Sequence, residues 1–281
     1  ERGDTVNSFG EMQAGNMMAI MDPRGISSET GKILGRMHTN VVFHGGRLLA
    51  LEETDKPYEM VLPTLETRGQ FDFDGTLRHI MCAHPKICPN TGEMFVFGHE
   101  IDPMQEQAVA SYSVVSGKKG IITHSMDVPL RGPRFMHDMA ITQNFAIIFD
   151  LPSTFDFSEW QEGRSPWVHR ADTETRFGIF PRHCQDPSRV RWFRAKSCQI
   201  FHTINAFETE DGSAVVLRCC RADSYTMGFD GSDKPKFWLY PYEWRFDMRT
   251  GETVCERRIA DVRCDFPVVS RAVVGAYNKF S

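Results

Sequence analysis

Short apolar segments that turn back on themselves through a brief polar link recur along the chain, and this succession of hairpins limits the fold more than any other feature. "TNVVFHGGRLLALEE" turns at Gly45-Gly46, "SYSVVSGKKGIITHSM" at its glycine and lysines, and "FETEDGSAVVLRCC" at Asp211-Gly212. Glycine takes the positive φ that tight hairpin turns need, so these pairs between apolar runs are strand-turn-strand signals. Helical periodicity is nearly missing: only "FDFSEWQEGRSP" reads as a short helical turn, ending before Pro166. The expectation is an all-β chain.

In "RFMHDMAITQNFAIIFDLP", residues 134–152, both limbs around the Gln143-Asn144 turn are apolar on both faces, as in a hairpin sandwiched between other sheets. An extended chain puts His137, Met139 and Ile141 on one face and Met136, Ala140 and Thr142 on the other. A histidine so placed either bonds a neighbouring carbonyl or carboxylate or ligates a metal, and the pattern alone leaves both readings open.

A turn of Thr-Gly and a charged residue occurs at Thr30, Thr91 and Thr250, with gaps of 61 and 159 residues, the latter three times 53. Repeats of roughly 40 to 50 residues, each a few strands, are typical of propeller blades. His84, His137 and His202 are 53 and 65 residues apart, about one blade each, a spacing that lets equivalent inner strands bring them to one axis. Pro85 suits such a strand, because the inner strand of a blade is a sheet edge and proline donates no ladder bond.

The 281 residues, 41% hydrophobic and 25% charged, suffice for a large core. A net charge of −5 and a pI near 6.1, without clustered Lys and Arg, give no reason to expect a nucleic-acid partner. No apolar run approaches the roughly 18 residues a spanning helix needs, and mean hydropathy is −0.36. Eight cysteines without CxxC spacing argue against a zinc ribbon and for a reducing intracellular compartment, cytoplasm or plastid. The neighbours Cys219 and Cys220 read as two thiols on opposite faces of a strand. The start "ERGDTVNSFG" carries neither an initiator Met nor a signal peptide, so targeting is unreadable.

The blocks "AHPKICPNTGEMFVFG", "FMHDMAITQNFAIIFDLP", "RFGIFPRH", "RWFRAKSCQIFHTINAFE" and "CDFPVVSRAVVGAYNKFS" occur in this order, and together they resemble the carotenoid cleavage oxygenase family, nearest its plant 9,10(9',10')-cleaving branch. The resemblance implies a seven-bladed β-propeller whose axis carries one non-haem Fe(II) per subunit, held by four histidines. His84, His137 and His202 match the first three ligands; the fourth belongs to a motif beyond Ser281, so residues 1–281 are expected to form a single partial propeller of four to five blades, truncated at both ends.

Nitrogen-only ligation leaves the charge of the ion uncompensated at the first contact, so carboxylates are expected behind the imidazoles. Glu53 and Asp265 match two of these in the family, although a one-residue slip would exchange Glu53 for Glu52. Aspartate is shorter than the glutamate common at the second position and implies a shifted backbone or a water bridge. Phe201 and Phe266 match residues of the substrate tunnel, though core packing is the simpler reading of either. Phe207, Met139, Gln143 and Cys88 depart from the family pattern outside the ligand positions. The other histidines (His38, His44, His79, His99, His124, His169 and His183) are read as surface or locally bonded, and Asp138 as the anchor of a neighbouring loop.

The implied activity is oxidative cleavage of a conjugated C=C bond in a carotenoid or apocarotenoid by O2, giving two carbonyl products, with peripheral membrane contact left open to segments outside this chain. The alternatives are a stilbene-cleaving dioxygenase of the same family and a non-catalytic propeller remnant.

Overall fold

The computed structural model describes residues 39–53, 55–99, 108–162, 164–225 and 238–279. Four antiparallel sheets of four strands follow one another. The first comprises β1 (Asn40–His44), β2 (Arg47–Leu51), β3 (Tyr58–Val61) and β4 (Glu66–Gln70), and the second β5 (Lys86–Ile87), β6 (Met94–His99), β7 (Ala108–Val115) and β8 (Ile122–Leu130). In the third, β9 (Ala140–Ile141) and β10 (Phe145–Asp150) are followed by a separate hairpin, β11 (Ser153–Phe155) and β12 (Trp167–His169), which flanks the short helix α1 (Phe157–Gln161). The sheet resumes with β13 (Thr175–Pro181) and β14 (Arg191–Ala195). The fourth holds β15 (Gln199–Glu208), β16 (Ala214–Ala222), β17 (Tyr240–Asp247) and β18 (Thr253–Arg258).

Each sheet is a meander with its first strand at one edge, and the first strands of all four line a common cavity of about 530 Å3, among them Val41, Ile87, Ile141 and Ile204. Among the described residues four blades thus stand around one axis, an incomplete propeller. The burial pattern follows from that placement. Middle strands meet a neighbouring blade on both faces, so β6 is buried at every position and β10 and β16 at nearly every one. At the perimeter, β4 has no buried residue and β8 alternates.

Three apolar clusters hold the blades together. One joins Leu49 and Leu51 of the first blade to Phe95, Met139 and Phe180 of the next two. A second packs Phe149, Phe177 and Phe193 against Leu217, Trp244 and Phe246 of the fourth blade. The third, Phe135, Trp167, Phe201 and Tyr225, is aromatic and adjoins the axis.

The hairpin turns are where the glycines place them. Gly45 and Gly46 both have positive φ, 58° and 78°, in the two-residue link that pairs His44 with Arg47. The Thr-Gly periodicity is different. Thr91 lies between the first and second strands of its blade, but Thr250 lies between the third and fourth strands of another, so the spacing does not mark equivalent positions. Thr30 and His38 lie outside the described residues. The alternation expected over 136–142 is also broken: only Ala140 and Ile141 join the ladder, and Met136 packs in the same cluster as Met139 and Ile141. Cys219 and Cys220 do point to opposite sides, into the second and third clusters.

Candidate metal centre

His84, His137 and His202 each stand at the same end of an inner strand. His84 comes two residues before β5, His137 three residues before β9, and His202 sits in β15 where its ladder with β16 slips on both sides of Thr203. Irregular backbone at a strand's end can turn a side chain along the axis, which regular pleating does not allow. His137 is therefore ahead of the strand it was expected to occupy.

The three rings converge. Nε2 of His137 lies 3.0 Å from Nε2 of His84 and 3.1 Å from Nε2 of His202, and the ring centroids are 4.5 to 4.8 Å apart. Two nitrogens at that separation which subtend a right angle at an ion are about 2.1 Å from it, the usual imidazole–metal distance. All three ligand atoms lie within 4.8 Å of one another, and among the described residues this is the group of His, Cys, Asp or Glu that could hold a metal ion. Neutral imidazoles suit borderline divalent ions such as iron, zinc or copper rather than magnesium or calcium.

Carboxylates orient two of the rings. Glu53 Oε1 is 2.7 Å from His137 Nδ1, and Asp265 Oδ1 is 2.8 Å from His202 Nδ1. Each Nδ1–H donates to its carboxylate, which leaves Nε2 aimed at the centre. Glu53 rather than Glu52 makes the contact. Asp265 reaches its histidine directly, and the following Phe266 has φ +52°, uncommon for a residue with a side chain.

The electrostatics follow from burial and pairing. Burial pushes the Glu53 carboxyl up, but the His137 charge and hydrogen bond outweigh it and leave it lowered. His137 shows the converse: burial lowers it, and the Glu53 charge and hydrogen bond more than compensate and leave it raised. His84 is pushed down to about 3, chiefly by burial.

Phe201 and Phe266 both lie beside the histidine rings. Phe201 is buried in the aromatic cluster, 5.9 Å from the His137 ring, while Phe266 is 72% exposed and 4.5 Å from the His202 ring. Two residues stand in surroundings other than those expected. Asp138 anchors strands rather than a loop: it pairs with Lys86 Nζ at 2.7 Å and accepts the Thr203 N–H at 2.7 Å. His99 is buried rather than at the surface, close enough for the Glu53 charge to act on it. His44, His79, His169 and His183 bond locally, to Gly92, Ser113, Ser153 and Glu93 among others.

Residues 5–281 match the family model described as Retinal pigment epithelial membrane protein, RPE65. The chain is 37% identical over 254 residues to carotenoid 9,10(9',10')-cleavage dioxygenase 1 of Arabidopsis thaliana, a match that covers 88% of the chain and 46% of the relative. Among solved structures, the lignostilbene dioxygenase of Pseudomonas brassicacearum is 26% identical with a TM-score of 0.73, covering 90% of this chain and 53% of that one. A cobalt-substituted apocarotenoid oxygenase of Synechocystis aligns with a TM-score of 0.77 over 97% of this chain and 61% of that one; at 21% identity it speaks for the fold alone. The chain spans about half the length of the curated relatives it matches.

Proposed function

The chain belongs to the RPE65 family of carotenoid oxygenases, and from that premise we propose that the whole protein is a non-haem Fe(II) dioxygenase. Its reaction is cleavage of a conjugated C=C bond of a carotenoid or apocarotenoid. Both atoms of one O2 enter the products as two carbonyl oxygens, so the double bond supplies the electrons and no external reductant is consumed. The observation that carries this reading is the meeting of His84, His137 and His202 Nε2 atoms at 3.0 and 3.1 Å from three successive blades.

Fe(II) held by these imidazoles would supply a site that binds and activates O2, the net electrons coming from the double bond. The chain's own residues do the rest. His84, His137 and His202 are the metal ligands, and Glu53 and Asp265 accept hydrogen bonds from Nδ1–H of His137 and His202 and so keep Nε2 of both free to ligate. Phe201 and its aromatic neighbours keep water from one side of the rings, and Phe266 offers an apolar face beside His202 to the polyene. A fourth histidine ligand in the whole protein is part of the same proposal. So is peripheral membrane contact, because apolar polyenes partition into bilayers.

Likeness to the lignostilbene dioxygenase favours a second reading, cleavage of a stilbene-type double bond at the same centre. A non-catalytic remnant is the reading from a different class, and retention of the three histidines with Glu53 and Asp265 speaks against it. The test is metal analysis of the protein made from its full reading frame, followed by assay with Fe(II), 18O2 and either a β-apocarotenal or resveratrol. Label in both carbonyl products supports dioxygenation, and the substrate consumed chooses between the first two readings. Absence of iron, together with a His137→Ala variant that behaves like the parent, refutes all metal chemistry here.

A further inference from the structure

The three ligand-bearing strands β5, β9 and β15 belong to three different sheets, each at a sheet edge, so no backbone ladder links one to another. Apolar packing between blades is non-directional. A metal site nevertheless needs its donors held to within about 0.5 Å. Something directional has to set the height and spacing of these strands.

Asp138 does what is needed. One carboxylate oxygen meets Lys86 Nζ at 2.7 Å and the Met139 N–H at 2.7 Å, and the other accepts the Thr203 N–H at 2.7 Å. Lys86 stands two residues after His84, Asp138 directly after His137, and Thr203 directly after His202. A single buried side chain, 2% exposed, thus touches each strand within two residues of its histidine. The Thr203 contact exists because the β15–β16 ladder slips on both sides of that residue. Thr203 Oγ1 adds a second link by donating to Met139 O at 3.2 Å.

We propose that Asp138 is a positioning residue that ties β5, β9 and β15 together and thereby fixes the mutual geometry of His84, His137 and His202. The proposal rests on the metal reading for its purpose but not for its test. A buried ion pair with no such role is the competing account, and it affects stability alone.

The experiment uses the protein made from its full reading frame with 15N-labelled histidine, and Asp138→Asn and Lys86→Met variants, well below their melting temperatures. In the metal-free protein, Asp138→Asn is expected to weaken the ring-to-ring NOEs of all three histidines. Lys86→Met is expected to weaken those of His84 and spare the His137–His202 pair. With Co(II) as probe, Asp138→Asn should bind roughly 10- to 100-fold more weakly, the range for residues that support a ligand without touching the ion. A lower melting temperature with unchanged NOEs overturns the proposal. If the unaltered protein binds no Co(II) while the NOEs still respond, the metal reading fails and the tie stands. If Asp138→Asn does not fold, Lys86→Met decides: unmoved His84 contacts overturn the proposal.

Discussion

Replacing Glu53 tests whether the buried carboxylate serves the centre or merely the fold. Its Oε1 lies 2.7 Å from His137 Nδ1, and the side chains are 11% and 1% exposed, so water cannot substitute for it. Glutamine keeps the volume and an acceptor for the Nδ1–H but loses the charge; alanine loses both and leaves the ring free to rotate. Loss of a carboxylate behind a histidine ligand costs about 10- to 100-fold in metal affinity, or about 1.4 to 2.7 kcal/mol. Glu53→Gln should fall at the weak end of that range and Glu53→Ala at the strong end. Glu52→Gln, one residue away, should leave affinity unchanged, since it is Glu53 that meets His137 Nδ1. Anaerobic calorimetric titration with Fe(II) reads all three variants. Equal affinity in Glu53→Ala and the parent would refute the reasoning, as would a Glu52→Gln loss as large as that of Glu53→Ala.

Other outcomes follow from the same contacts. Asp150, fully buried, pairs with Arg131, Arg134 and Arg176; Asp150→Ala leaves those guanidinium groups facing one another and should cost about 3 to 5 kcal/mol in urea unfolding. Phe177, 0% exposed and packed on Phe149, Trp244 and Phe246, joins the third and fourth blades, and Phe177→Ala should cost about 3 to 5 kcal/mol by the same measurement. His99 is pushed down to about 4 by burial, against the attraction of Glu53. The unfolded chain therefore takes up a proton near pH 6.5 that the folded chain refuses until about pH 4, so stability falls as pH drops through that window, by about 3 kcal/mol from this group. His99→Gln should flatten the pH dependence of unfolding there by about one proton; an unchanged slope would contradict the assignment.

The hairpins were legible because their turns are local chemistry: Gly45-Gly46 and Asp211-Gly212 stand at the tips of real strand pairs. The Thr-Gly spacing misled for the same local reason. Gly92 and Gly251 both meet a turn's demand for positive φ, and that demand is equal at the inner and outer ends of a blade. The three histidines were found through spacing joined to family resemblance. Whether Glu53 or Glu52 faced them depended on a one-residue register that pattern alone does not resolve. Asp138's partners were hidden because the Thr203 N–H is released by a slip in the ladder, and His99 because its neighbour Glu53 comes from another blade.

The central measurement is anomalous diffraction at the iron edge from crystals of the iron-loaded protein. The account predicts one peak about 2.1 Å from Nε2 of each of residues His84, His137 and His202. Density for iron elsewhere, or imidazoles turned away from a common point, would contradict it.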